Sequence, residues 1–269
     1  MILSLLFPVA LGGAPPERVV CLGGSVTETV FALGEGHRVV GTDLSSLSPP
    51  SVEALPRVGY YRAASTEGIL SLTPDLVLAD AHSGPPELEA QLTAAGVPVV
   101  FVPAEPGVAE AVKAVTVVAE ALGAQDRGAE LVASMRAGLA AVPPEPGPRV
   151  MFIYARGGGT LNVSGQGTAA DAMLALAGAT NAVSGFDGYR PLTAEAAVTA
   201  APEVILMTTR GLAELGGPEA VAALPGVSLT PAGQRGAIVA MDDLLLLGFG
   251  PRLGEAVPAL HTLLVEAAR

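Results

Sequence analysis

The feature that most constrains the fold is an internal duplication. The run Arg18–Leu22 is echoed by Arg149–Ile153, 131 residues later. Likewise, Glu67–Leu78 matches Glu195–Leu206 at a separation of 128 residues, with a Pro-acid pair followed by an apolar run in each copy. Two similar separations of this size indicate two related lobes rather than a short-period repeat. Chance similarity is the alternative explanation.

Short apolar runs alternate with Ala-, Leu- and Glu-rich stretches, which is typical of α/β layering. We therefore predict two Rossmann-like α/β lobes joined by a long helical backbone, with a ligand cleft between the lobes. Strands are predicted at Arg18–Leu22, Arg38–Val40, Leu76–Ala79, Val99–Val102, Arg149–Ile153 and Val204–Leu206. Helices are predicted from the capping-box sequence at Ser25 to Gly34, and over Thr66–Leu72, Pro86–Ala95, Val108–Val142 and Ala170–Gly178.

These patterns divide the chain into an N-terminal lobe (15–107), a connecting segment (108–148) and a C-terminal lobe (149–269). The connecting helix is expected to break near Gly123 and to end at the proline-rich run 143–148, which no helix can continue through. Residues 1–14 are mostly apolar and end in small residues, like the remnant of a secretory signal segment. They lack a basic beginning, so a genuine mature terminus is the alternative.

The bulk composition excludes two classes of partner. The net charge is −12, from 26 acidic and 14 basic residues, and a field of this sign repels a phosphate backbone. Nucleic acid is therefore not expected to bind. No apolar run reaches the roughly 18 residues that a membrane span requires, so the chain is not expected to cross a membrane.

The stretch Val58–Arg62 is the strongest candidate for chemistry. It places Tyr60, Tyr61 and Arg62 side by side in a protein with four tyrosines and no tryptophan. A phenolate can ligate ferric iron, and a nearby guanidinium favours the ionised phenol. The alternative is that one tyrosine packs in the core and Arg62 is solvated.

Other catalytic sets are not evident. The three histidines are far apart in sequence, and only His82 follows a predicted strand at the end where α/β proteins collect ligands. The glycines around Gly158 permit close approach of a flat ligand or form a flexible loop. Glu67 and Glu195 occupy matching positions, either as charges that complement helix dipoles or as a pair of carboxylates for a two-fold partner.

Several motifs together resemble a known family, the helical-backbone substrate-binding proteins of ABC importers for vitamin B12, siderophores and haem. Within it, the chain is similar to the haemin-binding (HmuT/ShuT-type) branch. The motifs that carry this resemblance are Gly23–Glu28, Val58–Arg62, Glu67–Pro74, Gly167–Ala172, Gly188–Leu192 and Leu247–Arg252.

The resemblance implies that Tyr60 is the axial ligand of haem iron, with Arg62 as its hydrogen-bonding neighbour and Tyr61 as the competing candidate. It also implies that Glu67 and Glu195 dock onto arginine pockets of a permease dimer. Some members carry a histidine after the strand that matches Met151–Tyr154 and use it to bind a second haem. This chain has Arg156 and Gly158 there, and Arg156 is expected to meet a haem propionate.

The resulting expectation is a non-enzymatic, periplasmic or otherwise extracytoplasmic haem carrier that delivers haem to an ABC permease. A carrier for a ferric siderophore or for cobalamin is the nearest alternative. An α/β enzyme that uses the interlobe cleft, or a haem-sensing adaptor, would be a different class of protein. The sequence shows neither the paired catalytic residues nor the metal cluster that an enzyme would need.

Overall fold

The structure is a computed structural model that describes residues 15–143, 146–155 and 160–269. The chain forms two compact units. Unit 1 contains the residues up to Ala104 and the segment Val112–Leu131, and unit 2 contains Glu105–Ala111 and Val132–Arg269. The predictions for residues 1–14 lie outside the described residues.

Unit 1 is built on a parallel sheet with the order β2-β1-β5-β6 and carries a separate two-stranded hairpin, β3-β4. Its strands are β1 (Val19–Leu22), β2 (Val39–Thr42), β3 (Gly59–Tyr60), β4 (Ala63–Ala64), β5 (Leu76–Asp80) and β6 (Val99–Val102). The helices up to the end of the connecting segment are α1 (Gly24–Ala32), α2 (Thr66–Ser71), α3 (Leu88–Ala94), α4 (Val108–Leu122) and α5 (Gln125–Leu139), with 3-10 turns at Gly36–Arg38 and Pro50–Ala54.

Unit 2 has a mixed sheet with the order β10-β8-β7-β11-β12, and β9 also pairs with β7. Its strands are β7 (Arg149–Tyr154), β8 (Asn162–Ser164), β9 (Thr180–Asn181), β10 (Tyr189–Pro191), β11 (Val204–Thr208) and β12 (Ile238–Met241). Its helices are α6 (Ala169–Leu176), α7 (Ala194–Ala200), α8 (Thr209–Glu214), α9 (Pro218–Ala222), α10 (Pro231–Arg235), α11 (Asp243–Leu247) and α12 (Leu253–Ala268), with a 3-10 turn at Val227–Leu229.

Each of the two sheets has parallel strands at its centre, which confirms the predicted pair of α/β units. In unit 1, β1 lies between β2 and β5, and β6 follows β5. In unit 2, β7 pairs in parallel with β9 and β11, and β12 follows β11. The central strands β1, β5 and β11 are buried along their whole length, as expected when helices cover both faces of a parallel sheet.

A pair of backbone clamps also repeats between the units. The Asp75 carboxylate accepts the Arg18 amide at 2.9 Å, and the Glu203 carboxylate accepts the Arg149 amide at 2.8 Å. In return, the Asp75 and Glu203 amides donate to the carbonyls of Arg18 and Arg149, at 2.9 and 2.8 Å. The shared acid after the proline therefore fixes the start of the first strand of each unit, which explains why the sequence motif recurs.

Two predicted helix starts differ from the structure. Helix α1 begins at Gly24 with Gly23 as its N-cap residue and no side-chain cap, so the predicted capping box at Ser25 is wrong. Gly23 has φ +109°, which lets the chain turn from β1 directly into the helix one residue earlier. Helix α3 begins at Leu88 rather than at Pro86.

The long helical segment divides as expected. Helix α4 ends at Leu122, and Gly123 adopts a left-handed φ of +72° before α5 begins. Helix α5 ends at Leu139, three residues before the predicted Val142. Among the residues that the structure describes, no helix combines the length and apolar character needed to cross a membrane.

Candidate functional site

The Tyr60 stretch forms a tight hairpin in unit 1. Tyr60 pairs with Ala63, so Tyr61 and Arg62 are the two residues that connect β3 to β4. Gly59 opens the hairpin with φ +99°, and a Cβ at this position would lie 3.2 Å from the Ala63 carbonyl oxygen. The turn therefore requires glycine before Tyr60, both for its backbone angle and for the space.

The two phenol rings are in contact. The centroids of Tyr60 and Tyr61 lie 4.7 Å apart with an interplanar angle of 66°, an edge-to-face arrangement. The alternation of side chains along a strand does not separate the two rings, because Tyr61 lies in the turn beyond the end of β3.

Arg62 bonds to the second phenol of this pair. Its Nε donates to Tyr61 Oη at 2.9 Å, and its guanidinium carbon lies 5.4 Å from the Tyr61 ring centroid. The resemblance had placed this hydrogen bond on Tyr60. The structure differs because adjacent positions in a two-residue turn bring Arg62 next to Tyr61.

Electrostatics in the hairpin oppose one another. Burial raises the pKa of the Tyr61 phenol, the Arg62 hydrogen bond acts against this rise, and the Tyr60 hydroxyl and the Asp80 carboxylate add to it. The hydrogen bond to Tyr61 in turn raises the pKa of Arg62. Arg62 therefore stays a cation, and its hydrogen bond favours the ionised Tyr61 phenol without outweighing burial, so the pKa of Tyr61 lies above its ordinary value.

His82 lies beside the hairpin, at the carboxyl end of β5. Its amide donates to Asp80 Oδ1 at 2.8 Å, and its Nδ1 lies 3.2 Å from the same oxygen. The next turn reaches the hairpin, because the Gly84 amide donates to the Tyr61 carbonyl at 2.9 Å. The structure thus brings the Asp80 and His82 segment together with the tyrosines, as the position after a strand predicted.

The carboxyl ends of β1 and β5 meet closely beneath this site. A Cβ on Gly23, the residue after β1, would lie 2.8 Å from Asp80 Cβ, closer than real Cβ contacts allow. The Gly23 amide donates to Asp43 Oδ1 at 3.0 Å, which links the end of β1 to the end of β2. Three strand ends therefore converge under the hairpin.

Exposed apolar side chains lie in the loop that follows β2. Leu44 is 59% exposed and Leu47 is 46% exposed. The Leu44 amide donates to the Gly59 carbonyl at 2.8 Å, so this loop runs directly alongside the residue before Tyr60. Neither leucine was among the residues that the sequence analysis singled out.

The two candidate docking glutamates occupy the same helix position. Ser65 caps α2 through a bond from the Gly68 amide at 3.0 Å, and Thr193 caps α7 through a bond from the Ala196 amide at 3.1 Å. Glu67 and Glu195 are each the second residue after the cap, and both are exposed. Matched caps explain the matched positions, and the exposed carboxylates remain available to a partner.

Unit 2 carries a second phenol pair that sequence reasoning missed. Tyr154 ends β7 and Tyr189 begins β10, and their ring centroids lie 5.8 Å apart. Burial raises the pKa of Tyr189, the Thr168 hydroxyl opposes this rise, and Tyr154 adds to it. All four tyrosines of the protein thus lie in two pairs, one in each unit. The sequence signal that could have found Tyr154 was its position at the end of β7, the strand that repeats β1.

Two predicted site residues, Arg156 and Gly158, lie outside the described residues. Within the ranges that the structure describes, no group of three or more His, Cys, Asp or Glu side chains is placed to hold a metal ion.

A family of known proteins accounts for this architecture. The model of the periplasmic binding protein family matches residues 19–245. The chain belongs to this family. The "Uncharacterized ABC transporter substrate-binding lipoprotein YvrC" of Bacillus subtilis (strain 168) is 30% identical over 272 residues, covering 95% of this chain and 85% of that protein. The family and this relative are substrate-binding proteins of transport systems, which confirms the resemblance to the binding proteins of ABC importers.

Two solved structures are similar over nearly their whole length. The periplasmic heme-binding protein RhuT from Roseiflexus sp. RS-1, in apo form, has a TM-score of 0.89 and 42% identity, covering 94% of this chain and 99% of that chain. The periplasmic heme-binding protein BhuT, in complex with two hemes, has a TM-score of 0.85 and 46% identity at the same coverage.

Proposed function

We propose that this protein is an extracytoplasmic haem-binding protein that delivers haem to an ABC importer. The observation that carries the proposal is the Tyr60–Arg62 hairpin at the carboxyl edge of the unit 1 sheet, where two phenols and a guanidinium are in contact. The similarity to RhuT and BhuT supports haem as the ligand. The protein acts as a carrier and not as an enzyme.

The chemistry of the hairpin suits ferric haem. A phenolate is a strong donor to Fe(III) and is among the axial ligands that proteins use for haem. An ordinary phenol ionises near pH ~10, so a neighbouring cation is needed to favour the ionised form at neutral pH. Arg62 supplies that cation. Leu44 and Leu47 supply apolar surface for the porphyrin, where burial contributes about 25 cal/mol per Å².

Within the pair, we assign iron ligation to Tyr60, as the resemblance implies. The Arg62 bond to Tyr61 Oη is the observation that favours Tyr61 instead. If Tyr60 is the ligand, the cation acts from the neighbouring ring, and Tyr61 supports the site without binding iron. The two assignments predict opposite outcomes for two single substitutions.

Unit 2 carries a phenol pair of its own. Tyr154 and Tyr189 present phenols at the carboxyl end of β7, which is the counterpart of β1. Arg156 follows two residues after Tyr154, as Arg62 follows Tyr60, and is proposed to meet a haem propionate. Gly158 is proposed to allow close approach of the ring. Tyr154 is the last residue of β7, directly before the segment where some relatives carry a histidine.

Delivery requires a docking surface for the importer. We assign this role to Glu67 and Glu195, which project from the first turns of α2 and α7. One exposed carboxylate in each unit suits a permease dimer that presents a cationic site on each subunit. Substitution of these residues is expected to impair transfer of haem without altering its binding.

Titration of the purified protein with haemin tests the proposal. We expect saturable binding with the charge-transfer absorption of a ferric phenolate complex, loss of that band in Tyr60→Phe, and its retention in Tyr61→Phe. The reverse pattern would move the ligand to Tyr61. Cobalamin and ferric siderophores serve as competitors, and displacement of haemin by either at equal concentration would identify a different cargo. A wild-type protein that does not bind haemin would refute the function itself.

A further inference from the structure

A fully buried carboxylate lies beneath the hairpin, and the chemistry described so far does not use it. Asp43 follows β2 and is 0% exposed. Its Oδ1 accepts the Gly23 amide at 3.0 Å and the Ser46 hydroxyl at 2.7 Å. Its Oδ2 accepts the Ser45 amide at 2.8 Å, the Ser45 hydroxyl at 2.7 Å and the Tyr61 amide at 3.2 Å.

These five donors explain how a charge can be buried here. An ionised carboxylate accepts hydrogen bonds only, and burying it is costly unless its lone pairs are filled. Arg57 strengthens the arrangement from the other side, since its Nη1 donates to the Asp43 carbonyl at 2.7 Å and to the Ser46 carbonyl at 2.6 Å. The loop after β2 is therefore held through the Asp43 carboxylate and through the backbone carbonyls of Asp43 and Ser46.

The bond to Tyr61 extends this anchor to the hairpin. Asp43 holds the amide of the first turn residue, and the Leu44 amide holds the Gly59 carbonyl one residue before Tyr60. The short β3-β4 hairpin pairs only two residues on each strand. Such a hairpin is marginal by itself, so contacts to the rest of unit 1 must fix its position.

We propose that Asp43 is a positioning residue for the haem-iron ligand, and this inference rests on the proposed function. Through the Tyr61 amide, Asp43 fixes the hairpin that presents Tyr60, so that the phenol is in place before haem arrives. A ligand held in its bound geometry avoids the entropy loss of ordering a loop on binding. A mobile hairpin would bind iron more weakly and with less uniform geometry.

Asp43→Asn is the direct test, because it keeps the side-chain shape and replaces one acceptor oxygen with a donor. We expect haemin affinity to fall about tenfold or more, the typical effect of losing charge-assisted hydrogen bonds, and the charge-transfer band to shift and broaden. The matched control is Asp75→Asn. Asp75 accepts the amides of Glu17 and Arg18 at 2.8 and 2.9 Å in the same unit, at the opposite end of the sheet.

Asp75→Asn is expected to lower the thermal midpoint while leaving the absorption band and the haemin affinity unchanged. An Asp43→Asn protein with unaltered band and affinity would overturn the inference. The inference would also be overturned if haemin affinity fell in proportion to the thermal midpoint in both variants. Such a result would show that Asp43 has a merely structural role.

Ser45→Ala provides a second variant if Asp43→Asn does not fold, since it removes one donor to the same Asp43 oxygen that holds Tyr61. We expect a smaller change of the band in the same direction, and an unchanged band would again count against the inference. If the wild-type protein binds haemin and these variants bind equally well, the positioning role fails and the proposed function stands.

Discussion

Gly23→Ala is predicted to destabilise unit 1 strongly. Gly23 has φ +109°, which L-residues rarely adopt, and an added Cβ would lie 2.8 Å from Asp80 Cβ. A backbone in this sparsely populated region costs a non-glycine residue about 1–3 kcal/mol, and overpacking adds about 1–3 kcal/mol. The two terms together predict a loss of about 3 kcal/mol in the free energy of unfolding. Asp80 accepts the His82 amide, so the substitution is also expected to disturb the site.

Gly96→Ala separates the two terms. Gly96 lies in the same unit with φ +80°, and a Cβ there would meet nothing within 4 Å. Its substitution should therefore cost only the backbone term, about 1 kcal/mol. The free energy of unfolding of both variants is measured by urea titration of the apo protein, together with haemin affinity. Equal destabilisation by the two substitutions would refute the argument that β1 and β5 are packed too closely for a side chain.

Three further outcomes are expected. Burial raises the pKa of the Cys21 thiol above its ordinary value of 9.0. The contribution of the neutral thiol to the free energy of unfolding is therefore fully present below pH 9.0 and declines above it. Cys21→Ala should flatten this decline by about 1.4 kcal/mol per pH unit in urea titrations. Leu44→Gln should weaken haemin binding about fivefold, with little change in unfolding, because the side chain is 59% exposed. Glu67→Gln with Glu195→Gln should slow haem transfer to the permease in vesicles while haemin affinity stays constant; an unchanged transfer rate would remove their docking role.

Much of the fold could be predicted because its signals are local. Buried parallel strands appear as continuous apolar runs, and glycine at a helix end needs only its own backbone angle, as at Gly123. The repeated acid after proline was visible as a motif in both halves. Its purpose was not, because Asp75 and Glu203 bond to strands more than 50 residues away in sequence.

The candidate site was predicted only in part, for a related reason. Residue types marked Tyr60, Tyr61 and Arg62 as a group, and strand position marked His82. Which phenol receives the arginine depends on the hairpin register, because Tyr60 ends β3 while Tyr61 and Arg62 are the two turn residues. Tyr154 and Tyr189 lie 35 residues apart and meet only through the pairing of β7, β8 and β10.

The sequence by itself determined that the protein has two related α/β units and that unit 1 carries two adjacent phenols and a cation. Periodicity, duplication and residue chemistry are all properties of the chain. Only the tertiary structure decided that Arg62 bonds Tyr61, that a second phenol pair exists, and that Asp43 holds the hairpin from below. The position of Asp43 could not be predicted, because its five hydrogen bonds come from three separate loops that folding brings together.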